Sequence, residues 1–172
     1  MTLAYVALGA NLGEPRRQIE TAIEEIKALP ETRVVLASGF YRSAPLGCAD
    51  QPDFLNAVAQ LDTSLPPEAL LDRLQDIEHR HGRERSFPGA PRTLDLDLLL
   101  YAARVVATPR LTLPHPRMHE RAFVLQPLLE LDPAISIPGN GLASSLLRAC
   151  GSQRIERIDH EPGNLGSPVT PS

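Results

Sequence analysis

Thr93-Leu94-Asp95-Leu96-Asp97-Leu98-Leu99-Leu100-Tyr101 alternates leucine with aspartate and then runs on through apolar residues. Side chains along a strand point alternately to its two faces. Leu94, Leu96 and Leu98 therefore face a core, and Asp95 and Asp97 share the other side. The stretch reads as the last strand of a series. Before it, Pro66-Pro67-Glu68 opens a helix, with proline tolerated in the first turn and an acid at the positive end. That helix turns Leu70, Leu71, Leu74 and Ile77 inward and runs to Gly82. Further back, Phe54 to Leu61 is a strand, Arg42 to Pro52 a loop, and Thr32 to Tyr41 a strand with Val34, Val35 and Leu36. An earlier helix starts at Glu14-Pro15, places Ile19, Ala22, Ile23, Ile26 and Leu29 at spacings of three and four, and stops at Pro30. Ala4 to Leu8 is the first strand. The order β-α-β-β-α-β predicts an α+β, ferredoxin-like core, an antiparallel sheet with both helices on one face.

Beyond this core, Val105-Val106 suits a short strand, and Pro114 and Pro116 hold an extended segment. Additional helices are expected over Arg121–Leu131 and Leu142–Cys150. Residues 1–160 read as one domain, and the Pro-, Gly- and Ser-rich stretch 161–172 as a disordered tail. The 172 residues carry a formal net charge of −4, which argues against general affinity for nucleic acid or anionic membrane. No stretch is long enough to cross a bilayer and no leader is visible, so a cytoplasmic protein is expected. Cys48 and Cys150 read as two free thiols.

Two carboxylates on one face repel each other unless a cation sits between them. Mg²⁺ suits such a pair, because it binds through one or two carboxylates plus waters and phosphates. An isolated Asp-x-Asp is also what a solvated strand face shows. The neighbouring arginines shift the balance: Arg83, Arg85 and Arg92 precede the strand, and Arg110, Arg117 and Arg121 follow it, interleaved with Thr112, His115 and His119. A guanidinium fork pairs bidentately with phosphate oxygens, so the pattern points to a polyphosphate. Gln75 and Glu78 share a helix face, suited to orienting Arg83, contacting a nucleotide, or simply meeting solvent. Phe54 and Asn56 offer a ring face and a donor–acceptor amide for a flat heterocycle, although a core Phe and a turn Asn have the same appearance. Neither a Walker-type phosphate loop nor a dinucleotide fingerprint is present.

Five segments carry a family likeness: Gly9-Ala10-Asn11-Leu12-Gly13, Phe40 to Gly47, Gln51 to Asn56, Pro91 to Asp97, and Leu113-Pro114-His115-Pro116-Arg117-Met118. In these motifs the chain resembles the 6-hydroxymethyl-7,8-dihydropterin pyrophosphokinases of folate biosynthesis. The resemblance implies transfer of an intact pyrophosphoryl group from ATP to the pterin hydroxymethyl oxygen, with two Mg²⁺ ions on Asp95 and Asp97. It implies that Arg83 and Arg92 take part in catalysis and, with Arg110, Thr112, His115 and Arg121, hold the triphosphate and ribose. Leu71, Gln75, Glu78, Leu98 and Leu111 would lie on the nucleotide side. Phe54 and Phe123 would sandwich the pterin, and Asn56 with Ser43, Ala44, Pro45 and Leu46 would read its edge. One departure is the stretch Ser86-Phe87-Pro88-Gly89-Ala90, where many members carry a longer loop with a Trp. Partners are expected to be small molecules only, with the protein a monomer. Two other readings fit the scaffold: a different Mg²⁺-dependent nucleotide phosphotransferase, and a non-catalytic ferredoxin-like binding module.

Overall fold

The structure is a computed structural model that describes residues 1–44, 52–82 and 94–158. Arg83, Arg92, Pro45, Leu46, Cys48 and the expected tail 161–172 lie outside the described residues. The expected series is present as β1 (Thr2–Ala10), α1 (Pro15–Lys27), a divided second strand β2 (Thr32–Ala37) and β3 (Phe40–Ser43), β4 (Phe54–Thr63), α2 (Pro67–Arg80) and β5 (Asp95–Tyr101). β6 (Val106–Ala107) and β7 (Thr112–Leu113) form a small hairpin, followed by a single 3-10 turn at Met118–Glu120. Then come α3 (Ala122–Leu131), a two-residue pair β8 (Ser136–Ile137) and β9 (Gly141–Leu142), α4 (Ala143–Ala149) and β10 (Ile155–Ile158). The main sheet runs β10-β3-β4-β1-β5, with β2 beside β4, and every pairing is antiparallel. The fold is α+β and ferredoxin-like, as the element order predicts.

Both faces of the sheet are covered. α1 and α2 pack Ile19, Ala22, Ile26, Leu70, Leu74 and Ile77 against Val6, Leu8, Leu61, Leu94, Leu96 and Leu98. On the opposite face, α3 and α4 pack Val124, Leu125, Leu128 and Ala143 against Tyr5, Val58 and Leu99. Alternation thus sorts β5 as expected up to a bulge opposite Tyr5 and Val6, after which Leu99 and Leu100 both join the second cluster. A one-residue slip of β5 would expose three buried leucines, each worth about 1.5–3 kcal/mol, and bury two carboxylates. The core therefore dictates which way Asp95 and Asp97 point.

The second strand differs from the continuous Thr32–Tyr41 expected. Its register moves by one residue between Val34 and Leu36 and again across Ser38-Gly39. Ser38 bridges the break by using its side chain, its Oγ accepting the Val58 N–H at 2.9 Å while its own N–H donates to Val58 O. Glu130 on α3 holds the same corner. Its carboxylate accepts from the Gly39 N–H at 3.2 Å, the Tyr41 hydroxyl at 2.6 Å and the Arg157 guanidinium at 3.3 Å. Burial, and then this carboxylate, push the Tyr41 phenol up to about 12, so it stays a donor. A Cβ on Gly39 would lie 2.7 Å from Arg157 Nη2, so the guanidinium would have to shift to admit a side chain there.

Candidate functional site

β1, β4 and β5 build the floor of a cavity of about 350 Å³ on the α3 face of the sheet. In register, Gly9 stands opposite Asn56 on one side and Asp95 on the other, while Ala7 stands opposite Asp97. The middle strand thus presents hydrogen or methyl where its neighbours present polar side chains. A Cβ on Gly9 would meet Asn56 Oδ1 at 3.4 Å. Glycine in a strand interior marks such a close approach.

The Asn56 amide is fixed. It is buried, and its Nδ2 donates to Ser43 Oγ at 2.8 Å and to the Tyr41 carbonyl at 3.3 Å. Ser43 and Ala44 line the same cavity, as do Phe54 and Phe123. Phe54 begins β4, and the chain just ahead of it is tied to the end of β1 because Asn11 Nδ2 donates to Pro52 O at 3.0 Å. Phe123 opens α3, with the Arg121 guanidinium 5.5 Å over its ring. Two aromatic rings and one immobilised amide therefore edge a pocket of the size that holds a small heterocycle.

Asp95 and Asp97 line the cavity, half-buried on β5. Strand geometry sets their Cα atoms roughly 7 Å apart. Beneath them, the carboxylate of Glu78 on α2 accepts the Leu96 N–H at 2.6 Å, so the peptide between the two aspartates is gripped from the other layer. His115 follows β7, and its N–H donates to Leu99 O at 2.9 Å, which holds this segment against β5. His115 Nδ1 accepts the Arg117 N–H at 3.2 Å, which leaves Nε2 to carry the proton of the neutral ring. Burial pushes the His115 imidazole down to about 4, with Arg121 and Arg117 acting the same way and Asp95 opposing. The ring is neutral at pH 7 and offers Nε2–H as a donor.

The residues expected on the nucleotide side do not line this cavity. Leu98 and Leu111 are buried in the cluster facing α1 and α2, with Leu71 packed on it, and Gln75 is exposed one turn along α2. Thr112 is exposed on β7. The Arg110 guanidinium meets Asp72 of α2 and lies 4.0 Å from Glu68. Leu98 directly follows Asp97, so β5 presents the carboxylates on one face and a leucine expected on the nucleotide side on the other.

Among the described residues no group of three or more His, Cys, Asp or Glu side chains could enclose a metal. His119 pairs instead with Glu120 at 3.5 Å. A pair of carboxylates suits a cation that completes its shell with water and phosphate, rather than a closed zinc site. Ala7, Gly9 and Val124 also line the cavity and were not among the expected site residues, and Arg117, one of the flanking arginines expected to meet phosphate, joins them. Gly9 was visible as a glycine at the end of an apolar strand, and Arg117 within the Pro-His-Pro-Arg motif. Nothing in the local sequence marks Val124. No helix among the described residues is long and apolar enough to cross a membrane.

A sequence profile of the family described as 7,8-dihydro-6-hydroxymethylpterin-pyrophosphokinase matches residues 5–133. The 2-amino-4-hydroxy-6-hydroxymethyldihydropteridine pyrophosphokinase of Pseudomonas aeruginosa is 52% identical over 154 residues, 90% of this chain and 95% of that protein. The Haemophilus influenzae enzyme of the same name is 42% identical over 159 residues, covering 92% and 99%. The fold also matches a crystal structure of Plasmodium falciparum HPPK-DHPS with pteroate, at TM-score 0.70 and 13% identity over 88% of this chain. A second structure, HPPK-DHPS in complex with substrates, matches at TM-score 0.67 and 12% identity over 86% of this chain. This chain spans 42% and 43% of those longer chains, and at such identity they speak for the fold alone. With three quarters of its length inside the family profile and bacterial relatives aligned nearly end to end, the chain belongs to the 7,8-dihydro-6-hydroxymethylpterin-pyrophosphokinase family.

Proposed function

We propose that this chain transfers the terminal pyrophosphoryl group of ATP to the hydroxymethyl oxygen of 6-hydroxymethyl-7,8-dihydropterin, as the names of its bacterial relatives indicate, releasing AMP. The observation that carries the reading is the row Asn56–Gly9–Asp95, which puts a fixed amide and a carboxylate pair on either side of a bare strand in one cavity. Phe54 and Phe123 take the two faces of the pterin, and Asn56 with Ser43, Ala44, Pro45 and Leu46 takes its edge. The hydroxymethyl arm then points along the floor towards Asp95 and Asp97.

The pair suits Mg²⁺, since that ion binds through one or two carboxylates and completes its shell with water and phosphate, and Asp95 and Asp97 are half-buried beside Gly9 and Ala7. Two such ions on Asp95 and Asp97 would neutralise the polyphosphate and acidify the hydroxyl. A bond forms between the pterin oxygen and the β-phosphorus while the bond from that phosphorus to the α–β bridging oxygen breaks, and AMP leaves with that oxygen. Asp97, which lines the cavity, is assigned as the acceptor of the hydroxyl proton. Arg83, Arg92, Arg110, Thr112, His115 and Arg121 are assigned to the triphosphate and ribose, with neutral His115 donating from Nε2. Leu71, Gln75, Glu78, Leu98 and Leu111 are assigned to the adenosine side. All these residues belong to one chain, and we take the working unit to be a monomer.

Incubation with ATP, Mg²⁺ and 6-hydroxymethyl-7,8-dihydropterin tests the assignment. One AMP should appear per pterin consumed. Formation of ADP would make the protein a different phosphotransferase, and no pterin-dependent turnover would leave a binding module.

A further inference from the structure

We propose that Arg117 anchors the diphosphate once it is attached to the pterin. The inference rests on the reading above and adds a residue to it. Arg117 stands just before the 3-10 turn and lines the cavity that also holds Asp95, Asp97 and Phe123. Among the described residues its guanidinium has no ion-pair or hydrogen-bond partner. Among the described residues, the two other arginines expected on phosphate are engaged. Arg121 lies over the Phe123 ring, forming part of the aromatic wall, and Arg110 is paired with Asp72 on α2.

The Arg117 backbone, by contrast, is pinned at both ends. Its N–H donates to His115 Nδ1 at 3.2 Å, and its carbonyl accepts the Glu120 N–H at 3.1 Å. The result is an exposed, unpaired guanidinium on a fixed backbone, in the cavity of the heterocycle and the carboxylate pair. Pyrophosphoryl transfer leaves a strongly anionic diphosphate on the pterin in that cavity, where Asp95 and Asp97 also lie. A guanidinium fork there matches phosphate oxygens bidentately. The unphosphorylated pterin has no phosphate for Arg117 to hold.

Calorimetric titration in Mg²⁺-containing buffer separates these roles, using 6-hydroxymethyl-7,8-dihydropterin and its diphosphate as the two ligands on wild-type, Arg117→Gln and Arg117→Lys proteins. Arg117→Gln should lose about tenfold in affinity for the diphosphate, the worth of one charge-assisted contact. Its affinity for the unphosphorylated pterin should be unchanged, which also certifies the fold. Arg117→Lys should recover part of the loss, since it keeps the charge without the fork. Equal losses for both ligands, or no loss for the diphosphate, would overturn the inference. Failure of the wild-type protein to bind the unphosphorylated pterin would overturn the underlying reading, and the inference with it.

Discussion

Glu78 reaches from α2 to the Leu96 N–H at 2.6 Å, and Leu96 is the residue between the two aspartates. β5 lies at the end of the sheet order, so among the described residues no further strand pairs with its outer side. Glu78, almost wholly buried, supplies the acceptor that a further strand would otherwise provide. The carboxylate pair is thus held from below by a third carboxylate that faces the other layer.

Removing that acceptor should weaken the fold. Glu78→Ala leaves a buried N–H unsatisfied and is expected to cost about 1–3 kcal/mol. Glu78→Gln keeps an acceptor oxygen and should lose less. Urea denaturation of the three proteins decides this, and equal midpoints would show that the contact carries no stability.

Asp97→Ala should lower turnover by about 10²–10³-fold or more, the scale of losing one preorganised electrostatic element. The protein should stay folded, because Asp97 faces the cavity and not the core. Chelation of divalent cations should reproduce the loss in the wild-type protein. Near-normal rates for the variant at saturating Mg²⁺ would remove Asp97 from the metal site.

Gly9→Ala puts a methyl 3.4 Å from Asn56 Oδ1, on the cavity floor. One added carbon in a fitted pocket changes discrimination by about tenfold or more. KM for the pterin should rise by that order while KM for ATP holds. If both constants rise together, the methyl has disturbed the sheet rather than the pocket.

The His115 ring should titrate near pH 4, well below its ordinary 6.5, when followed by NMR of its ring protons. The unfolded chain binds this proton at about 6.5, so between the two values the unfolded state holds more protons. His115 therefore makes its full contribution to stability above about pH 6.5 and loses it as pH falls towards 4. Replacing it by Asn should flatten the stability–pH curve across that window. A ring midpoint near 6.5 would contradict the burial seen here.

Much of this was legible in the residues because it follows from local periodicity. Leucine–aspartate alternation oriented β5, and three-and-four spacing gave the buried faces of α1 and α2. What escaped was set by distant partners. The break in the second strand depends on Ser38 reaching Val58 and on Glu130, about ninety residues along the chain, accepting from Gly39. A run of apolar residues shows neither contact. β10 pairs with β3 through only four residues, Ile155 to Ile158, too short for alternation to be distinctive. Arg117 was read as one of several flanking arginines. Its place in the cavity comes from the turn that precedes α3, which no local pattern encodes.

The row Asn56–Gly9–Asp95 also acts as a ruler. Hydrogen-bonded strands lie about 4.8 Å apart, so two intervals put these residues' backbones roughly 10 Å from one another. That span is set by peptide pairing and is independent of any side chain. Substitutions at either end can change what is gripped there, but the distance from the Asn56 backbone to that of Asp95 is inherited from the sheet. In the proposed reaction, ring and reacting oxygen would be gauged by the backbone, and a change of reach would require a different register rather than a different residue.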